Sequence, residues 1–547
     1  MKLFSTLSLG LALTALVGCT GKPNVTASYQ VIPLPQEIAV DSVAEGFVFN
    51  DGTAIVCTSE DASMQKNAEL LSGYLAQITG ITPEVKADGD KHAIILSDNL
   101  EAENPDAYTI SVNSDRILID GASPAGAFYG MQTIRKAIAA ADSLAQGPVY
   151  FPAATIADAP RFAYRGTHFD TARHFFDPDS VKILIDMLAM HNINRFHWHI
   201  TDDQGWRLEI KSHPELAEIG SKRSGTMIGH RFSTNDSIPY GGYYTQDQVR
   251  DIVQYAADRH ITIIPEIDLP GHMQAVLAAY PQLGCTGGPY EVWRKWGVSE
   301  DVLCAGNDSI YTLLDDIMGE VTELFPSEYI HIGGDECPKD RWKKCPKCQA
   351  RIRQLGLKTD SHSTAEQKLQ THVMTHVSDY LAQHGRKVIG WDEILEGGAP
   401  DGSVIMSWRG IEGAREAAKS GHDAIMTPCQ YLYFDFRQSD DPAEPLAATW
   451  GNVIIPESIY SFDPIPSDLT DEEAKHIIGV QANLWTEYVP TFRHAEYMLV
   501  PRLAALAEVQ WSSAPRDFEA FKTRLPGITR LYDMNDYNYS KHVSFED

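Results

Sequence analysis

The chain lacks several features that would assign it to common classes of protein. Lys and Arg number 45 against 74 Asp and Glu, a net charge of −29, which excludes the electrostatic attraction used by nucleic-acid-binding and anionic-membrane-binding proteins. No segment beyond the first nineteen residues approaches the ~20 consecutive apolar residues of a membrane helix. Low-complexity tracts and repeats of solenoid period are also missing. We therefore expect a globular protein with no nucleic-acid partner and no membrane-spanning segment.

The first nineteen residues have the pattern of an export signal. Lys2 precedes the apolar stretch FSTLSLGLALTALVG, and LVGC ends at Cys19. This resembles a bacterial lipoprotein signal with lipid attached to Cys19, whereas an ordinary signal peptide more often ends in A-x-A. Thr20 stands where an Asp often retains lipoproteins at the inner membrane. We expect a periplasmic or cell-surface protein held at the outer membrane through its lipid.

Cysteine is scarce, and seven remain after Cys19. In an exported protein Cys285 and Cys304 could form a disulfide. CPKC, ending at Cys348, could be half of a zinc site, but no second C-x-x-C and no close His follows at the usual spacing. A local disulfide or free thiols are favoured over a structural metal, and no metal or cofactor is expected. The seven are Cys57, Cys285, Cys304, Cys337, Cys345, Cys348 and Cys429.

Two different patterns of apolar and polar residues divide the rest of the chain. Residues 20–155 contain the short strands AIVCTS, HAIILS and AYTISVNSDRILIDG and the helix ASPAGAFYGMQTIRKAIAAA, which predict a small α+β domain. Residues 161–511 alternate eight apolar runs with helical patterns, which predicts an α/β fold with a (β/α)₈ TIM barrel. Residues 512–547 are expected to be a C-terminal extension packed on the barrel. The runs are YRGTHFDTA, INRFHWHI, ITIIPEID, YIHIGGDE, KVIGWDEI, SVIMSW, DAIMTP and IIGVQANLW.

Polar and aromatic residues follow these runs instead of preceding them. TDD follows HWHI, LPGH follows IPEID, and WTE follows QANL. Barrel active sites are built at the C-terminal ends of the strands. The sequence therefore predicts the end of the barrel at which the site lies.

Asp335 and Glu336 stand side by side in HIGGDECP. Such a pair is most often a solvated turn or a helix start, but the preceding glycines permit a sharp turn and close approach of a ligand. Paired carboxylates suggest glycoside hydrolysis. Adjacent side chains diverge, which is awkward for an acid and a nucleophile that must face each other at ~5–5.5 Å. Divergence suits one acid reaching the leaving oxygen while its neighbour reaches a substituent on the same sugar.

Eight motifs follow one another along the predicted barrel: RGTHFDTARHF, NINRFHWHITDDQGWR, EIDLPGH, HIGGDE, GWDEIL, SWRG, YFDF and NLWTE. Together they resemble glycoside hydrolase family 20, the β-N-acetylhexosaminidases. The resemblance covers about residues 161–511, and residues 28–155, with QVIPLPQEI and FYGMQTIRKAI, resemble the small domain that precedes the family's barrel. It implies an exo-acting enzyme whose partner is a glycan with a terminal β-N-acetylhexosamine.

The resemblance also implies the roles of the two acids. Glu336 is expected to protonate the glycosidic oxygen. Asp335 is expected to orient the substrate's 2-acetamido group, whose carbonyl oxygen attacks the anomeric carbon, and to stabilise the resulting oxazolinium ion. In this substrate-assisted route the nucleophile acts at a high effective concentration because it belongs to the substrate. Glu336 must be protonated while Asp335 is ionised.

The other site residues implied by the resemblance surround the sugar. Arg173 and Glu487 are expected to bind its outer hydroxyls, with Asp435. Tyr433 is expected to bond the acetamido carbonyl, with Tyr431 as an alternative. A network supporting the acid is expected from Asp202 and His272. The aromatic walls are expected from Trp391, Trp408 and Trp485, with Asp203, Glu266 and Glu393 in structural roles.

Two alternatives to this function remain open from the sequence. A related enzyme could release a disaccharide or prefer a sulfated sugar, and the sequence does not size the pocket. A surface lipoprotein could instead bind glycans without cleaving them. Loss of either acid would favour that second alternative, and both acids are present.

Overall fold

A computed structural model of the chain describes residues 25–143 and 146–542. Cys19 and the export signal lie outside the described residues. Within them no helix has both the length and the apolar character needed to cross a membrane. The described chain forms an N-terminal α+β domain, a closed barrel and a C-terminal helix.

The N-terminal domain is built on a mixed seven-stranded sheet, and a small three-stranded sheet lies beside it. In spatial order the large sheet contains Glu37–Val40, Ala154–Asp158, Tyr108–Val112, Arg116–Gly121, Ala93–Ser97, Ala54–Cys57 and Glu84–Lys86. The small sheet contains Val25–Thr26, Val149–Phe151 and Phe47–Phe49. The last strand of this domain extends past the predicted boundary at residue 155.

Two helices cover the large sheet. Ala62–Thr79 begins where the Asp61 side chain accepts from Ser63 N, and Pro124–Ala139 begins where Ser123 accepts from Ala125 N. Such caps satisfy amide groups that a helix start leaves unpaired. The second helix is buried along almost its whole length, because the sheet covers one side and the C-terminal helix the other.

The second domain is a closed barrel of eight parallel strands, as the eight apolar runs predict. We number them β1 to β8. They are β1 Tyr164–Asp170, β2 Arg195–His199, β3 Thr262–Glu266, β4 Tyr329–His331, β5 Lys387–Trp391, β6 Val404–Ser407, β7 Ala424–Met426 and β8 Ile477–Leu484. The barrel closes where β1 pairs with β8, Tyr164 opposite Gly479. An apolar cluster that includes Ile264, Ile389 and Met406 packs inside the barrel, so the barrel interior is a packed core.

Helices between the strands form the outer layer. Several begin with strong caps: Thr245 and Thr364 each form a capping box with the Gln three residues later. The longer helices are Pro178–Met190, Gln246–Ala257, Ser309–Leu324, Pro346–Gln354, Ala365–Gln383, Glu412–Ser420, Phe492–Leu499 and Arg502–Trp511. Shorter helices are Glu215–Glu218, Gln274–Ala279, Pro281–Leu283, Asp340–Lys344, Asp392–Gly397, Cys429–Leu432, Pro456–Ser461 and Asp471–Ala474. Small hairpins in the loop after β2 pair Thr201–Asp202 with Gly205–Trp206, Lys222–Arg223 with Tyr240–Gly241, and Met227–Ile228 with Arg231–Asn235.

The C-terminal helix Phe518–Met534 contacts both domains. Its Tyr532 hydroxyl lies 2.6 Å from His191 Nε2 of the barrel, and the same helix packs on Pro124–Ala139 of the N-terminal domain. Trp511 adds a direct bond, donating from Nε1 to Asp158 at 2.9 Å. The C-terminal segment therefore joins the barrel to the N-terminal domain.

Candidate functional site

The C-terminal ends of the barrel strands surround a pocket of about 440 Å³. That volume lies within the range of cavities that take one small ligand. Its walls combine charged groups with a large aromatic surface, and come from the loops after most of the strands. The lining residues are Arg173, Phe232, Trp296, Gly297, Val298, Asp335, Glu336, Trp391, Trp408, Tyr433, Asp435, Ala448, Trp450, Trp485, Glu487 and Tyr488.

The two adjacent acids reach the same pocket because the chain turns sharply after β4. Gly333 and Gly334 have φ of +64° and +100°, and Glu336 itself has φ of +43°. A Cβ at Gly333 would lie 1.7 Å from Asp268 Oδ1, and one at Gly334 would lie 2.5 Å from Ile394 Cγ2. Side chains larger than hydrogen are thus excluded at both positions. The glycine pair predicted to permit this turn is required for it.

The two carboxyl groups differ in exposure. The Asp335 side chain is 11% exposed and that of Glu336 is 41% exposed. Among the described residues, Asp335 Oδ1 is buried with no hydrogen-bond partner. A buried unpaired acceptor in a pocket wall is costly, and a ligand N–H would satisfy it. Glu336 faces the open part of the pocket, where a leaving group would pass.

One histidine lies behind both acids. His272 Nε2 is 3.6 Å from Glu336 Oε2 and 3.8 Å from Asp335 Oδ2, and His272 Nδ1 is 3.2 Å from Asp202 Oδ1. Burial opposes a charge on this ring, but the Asp202 carboxylate outweighs it and raises the pKa of His272 well above its ordinary value. His272 is thus held as a cation. Asp203 adds a further contact to its Nδ1 at 3.2 Å.

Asp202 connects this histidine to the opposite side of the pocket. Its Oδ2 lies 2.9 Å from Arg173 Nη2 and 2.8 Å from His199 Nε2. Arg173 also donates through Nε to Gln204 at 3.0 Å. Asp202 and His272 do not line the pocket, so the structure places them behind its wall.

Glu266 forms a second buried centre beneath the pocket. Its carboxylate lies 2.5 Å from His199 Nδ1 and 3.0 Å from both His197 Nε2 and His331 Nδ1. It also accepts from Trp391 Nε1 at 2.8 Å. Trios of these groups are close enough to hold a metal ion, but Glu266 is already surrounded by these four side chains. Its role here is to fix the floor of the pocket.

Three further polar side chains line the pocket: Arg173, Asp435 and Glu487. Arg173 Nη2 is 4.0 Å from Glu487 Oε1. Asp435 is buried, and its Oδ1 has no hydrogen-bond partner among the described residues. Burial raises the pKa of Asp435 well above its ordinary value, and Glu487 adds to this by repulsion. Donors and acceptors in this arrangement suit a group of neighbouring hydroxyls.

Tryptophans form the floor and walls of the pocket. Trp391 and Trp485 have ring centroids 5.8 Å apart at an interplanar angle of 43°. Trp408 stacks near Tyr433 at 6.0 Å and 17°, and donates through Nε1 to Glu393 at 2.9 Å. All three predicted tryptophans line the pocket, and Glu393 holds one of them in place without lining it.

The structure distinguishes the two tyrosines of YLYFDF. Tyr433 is buried and lines the pocket. Tyr431 is 37% exposed and stacks on Phe462 at 4.9 Å, away from the pocket lining. The interpretation that favoured Tyr433 thus agrees with where the two rings lie.

Several lining residues were not identified from the sequence. Trp450, 62% exposed, and Trp296 stand in long loops between strands, and Phe232 and Tyr488 add to the rim. Each lacks the strand-end position that marked the other site residues. The sequence does not show which aromatic rings of separate loops meet.

The acids titrate in the opposite order from the one the mechanism needs. Burial, together with repulsion from Glu336, raises the pKa of Asp335 to about 6. Burial also acts to raise the pKa of Glu336, but the His272 imidazolium outweighs it and holds that pKa below its ordinary value. In the free enzyme a proton bound to this pair therefore resides mainly on Asp335. The productive form, with the proton on Glu336, is the minor arrangement of the singly protonated pair.

This order of pKa values predicts how kcat/KM changes on the alkaline side of its pH profile. Below about pH 6 the pair retains one proton, and above it both acids are ionised and none can protonate a leaving group. We expect kcat/KM to fall as the pH rises through this value. In the Asp335→Asn variant only Glu336 can carry the proton, and its pKa is lowered. The fall in kcat/KM should therefore begin at a lower pH than in the wild type. The measurement is kcat/KM against pH for both proteins.

Asp179→Asn, on the exposed start of helix Pro178–Met190, serves as the control and should retain the wild-type limb. An unchanged limb in Asp335→Asn would show that another group sets it.

Comparisons with known proteins agree on one family. Residues 162–514 match the family model described as the catalytic domain of glycosyl hydrolase family 20, and residues 28–159 match the model of its domain 2. The chain is similar to a beta-hexosaminidase of Porphyromonas gingivalis, with 40% identity over 541 residues, which cover 96% of this chain and 67% of the relative. It is 35% identical to a beta-hexosaminidase of Vibrio furnissii over 84% of this chain and 74% of that one.

Solved structures show the same relationship. A GH20 beta-N-acetylhexosaminidase from Streptomyces coelicolor A3(2) superposes with a TM-score of 0.81 at 30% identity, covering 94% of this chain and 98% of that one. A GH20 exo-beta-N-acetylglucosaminidase from Vibrio harveyi, in complex with N-acetylglucosamine, gives a TM-score of 0.82 at 33% identity, covering 96% of this chain and 80% of that one.

Proposed function

The chain belongs to glycosyl hydrolase family 20 and is thereby an exo-acting β-N-acetylhexosaminidase; on that premise we propose which residues perform the reaction. Glu336 protonates the glycosidic oxygen as the bond to the aglycone breaks. Asp335 and Tyr433 hold the 2-acetamido group so that its carbonyl oxygen attacks the anomeric carbon. The family's route is substrate-assisted, so the protein supplies no nucleophile.

This assignment rests on one observation: the two adjacent acids face the same pocket, and one is buried while the other is partly exposed to solvent. Asp335 is buried with an unpaired oxygen, which suits the acetamido N–H. Glu336 is 41% exposed, which suits a bulky departing group. When a substrate fills the pocket it removes water from Glu336, and that desolvation raises the pKa of the acid. The proton needed for catalysis thereby moves toward Glu336 in the complex.

Three polar side chains of the pocket explain why the enzyme acts at the end of a glycan chain. Arg173, Asp435 and Glu487 line the same pocket as the two acids and would bond the outer hydroxyls of a terminal sugar. The Vibrio harveyi neighbour was solved with N-acetylglucosamine, and we take the same terminal sugar as this enzyme's substrate.

The assignment of Glu336 is tested by its dependence on the leaving group. Glu336→Gln removes the proton donor, so hydrolysis of a substrate with a poor leaving group, such as a chitin disaccharide, should slow by about 10²–10⁴-fold. An aryl glycoside with a strongly acidic phenol needs no proton and should lose much less activity. The measurement is kcat/KM for both substrates. Equal losses on the two would remove Glu336 from the role of acid.

We also propose that the protein is exported and anchored by lipid on Cys19. The support is the sequence alone: a positive start, an apolar stretch and LVGC. Such an anchor places the enzyme at a membrane surface facing extracytoplasmic glycans. The absence of an Asp after Cys19 favours the outer membrane.

Anchoring is tested by fractionating a bacterium that expresses the full chain. Wild type should be in the membrane fraction, and Cys19→Ala should leave it, because the acyl acceptor is lost. Mass spectrometry of the N-terminal peptide should show an acylated Cys19. Cys57→Ala, which changes a cysteine of the folded domain, is the matched control. Equal membrane association of wild type and Cys19→Ala would contradict the proposal.

A further inference from the structure

The geometry points to a structural zinc site formed by Cys285, Cys304, Cys345 and Cys348. The four sulfur atoms all lie within 4.8 Å of one another. This cluster is outside the catalytic pocket, since none of its members lines it. The sequence alone favoured a disulfide or free thiols, because only CPKC was visible as a possible half-site.

The sulfur spacing fits a tetrahedral metal. Cys304 Sγ lies 3.6 Å from both Cys345 Sγ and Cys348 Sγ, and Cys285 Sγ lies 3.8 Å from Cys348 Sγ. Zn–S bonds of ~2.3 Å in a tetrahedron place the sulfur atoms ~3.8 Å apart. A disulfide would bring two of them to ~2.05 Å. The seven cysteines that the structure describes are all free thiols.

The backbone is shaped to gather these four residues. Cys345 and Cys348 stand at the start of the helix Pro346–Gln354, where C-x-x-C places two sulfur atoms on one side of a turn. Gly306 lets the loop carrying Cys304 approach that turn, since a Cβ there would lie 2.2 Å from Lys347 C. The remaining ligand, Cys285, follows the short helix Pro281–Leu283.

The ligands come from distant parts of the sequence. Cys304 is 41 residues from Cys345, and Cys285 is 63 residues from Cys348. Three of the four are buried and Cys285 is half-buried. Zinc binds thiolates, so its binding would release the thiol protons to solvent.

The site would link two loops that carry catalytic groups. Cys285 and Cys304 belong to the segment between β3 and β4, which also contains His272. Cys345 and Cys348 follow β4, shortly after Glu336. Four protein ligands leave no open position on zinc, so the ion would be structural and not catalytic. It would hold the distance between the histidine and the acid it contacts.

The test is metal analysis of the intact protein, purified without chelator and incubated with zinc before gel filtration. We expect close to one zinc per chain by mass spectrometry of the metal. X-ray absorption at the zinc edge should show four sulfur neighbours at ~2.3 Å. Cys345→Ser should lower zinc binding at least fivefold and lower the melting temperature, whereas Cys57→Ser, a buried thiol in the N-terminal domain, should retain both.

If Cys345→Ser fails to fold, X-ray absorption of the wild-type protein still tests the zinc site. A wild-type protein without zinc would overturn it, whether its cysteines prove to be alkylated as free thiols or paired as disulfides. Zinc bound through nitrogen or oxygen atoms, or retained by a folded Cys345→Ser protein, would also overturn it.

Discussion

The site depends on one buried carboxylate, that of Asp202, which joins its two halves. Its oxygens contact Arg173, His199 and His272 at 2.8–3.2 Å. A buried charge of this kind is tolerated only when it is fully paired. The pairing therefore orients the arginine that faces the sugar hydroxyls and keeps positive the histidine that faces Glu336. Removing this carboxylate would take from Arg173 and His272 the counter-ion that they share.

The acid pair shows how backbone shape assigns different roles to neighbouring residues. On a regular strand Asp335 and Glu336 would point to opposite faces. The left-handed turn through Gly333, Gly334 and Glu336 brings both to one pocket at different depths. Burial raises the pKa of Asp335 and the histidine lowers that of Glu336, so the substrate itself must complete the proton placement by displacing water.

Sequence patterns predicted the barrel and most of the pocket because those signals are local. Apolar runs identified all eight strands, and motifs at strand ends identified residues such as Arg173 and Tyr433. The cysteine cluster was not predicted, because its halves lie 41–63 residues apart and meet only through tertiary structure. The order of the acid pKa values was missed for the same reason, since it depends on the position of His272.

Substrate-assisted catalysis requires the substrate's acetamido oxygen to be the nucleophile, held by Asp335 and Tyr433. The most direct measurement is kcat/KM for aryl glucosaminides whose N-acetyl group carries zero, one, two or three fluorine atoms. Fluorine withdraws electron density from the carbonyl oxygen while changing its size little. If the acetamido oxygen attacks, kcat/KM should fall steeply with each added fluorine. A rate that does not depend on fluorine would contradict it, because the attacking atom would then belong to the protein or to water.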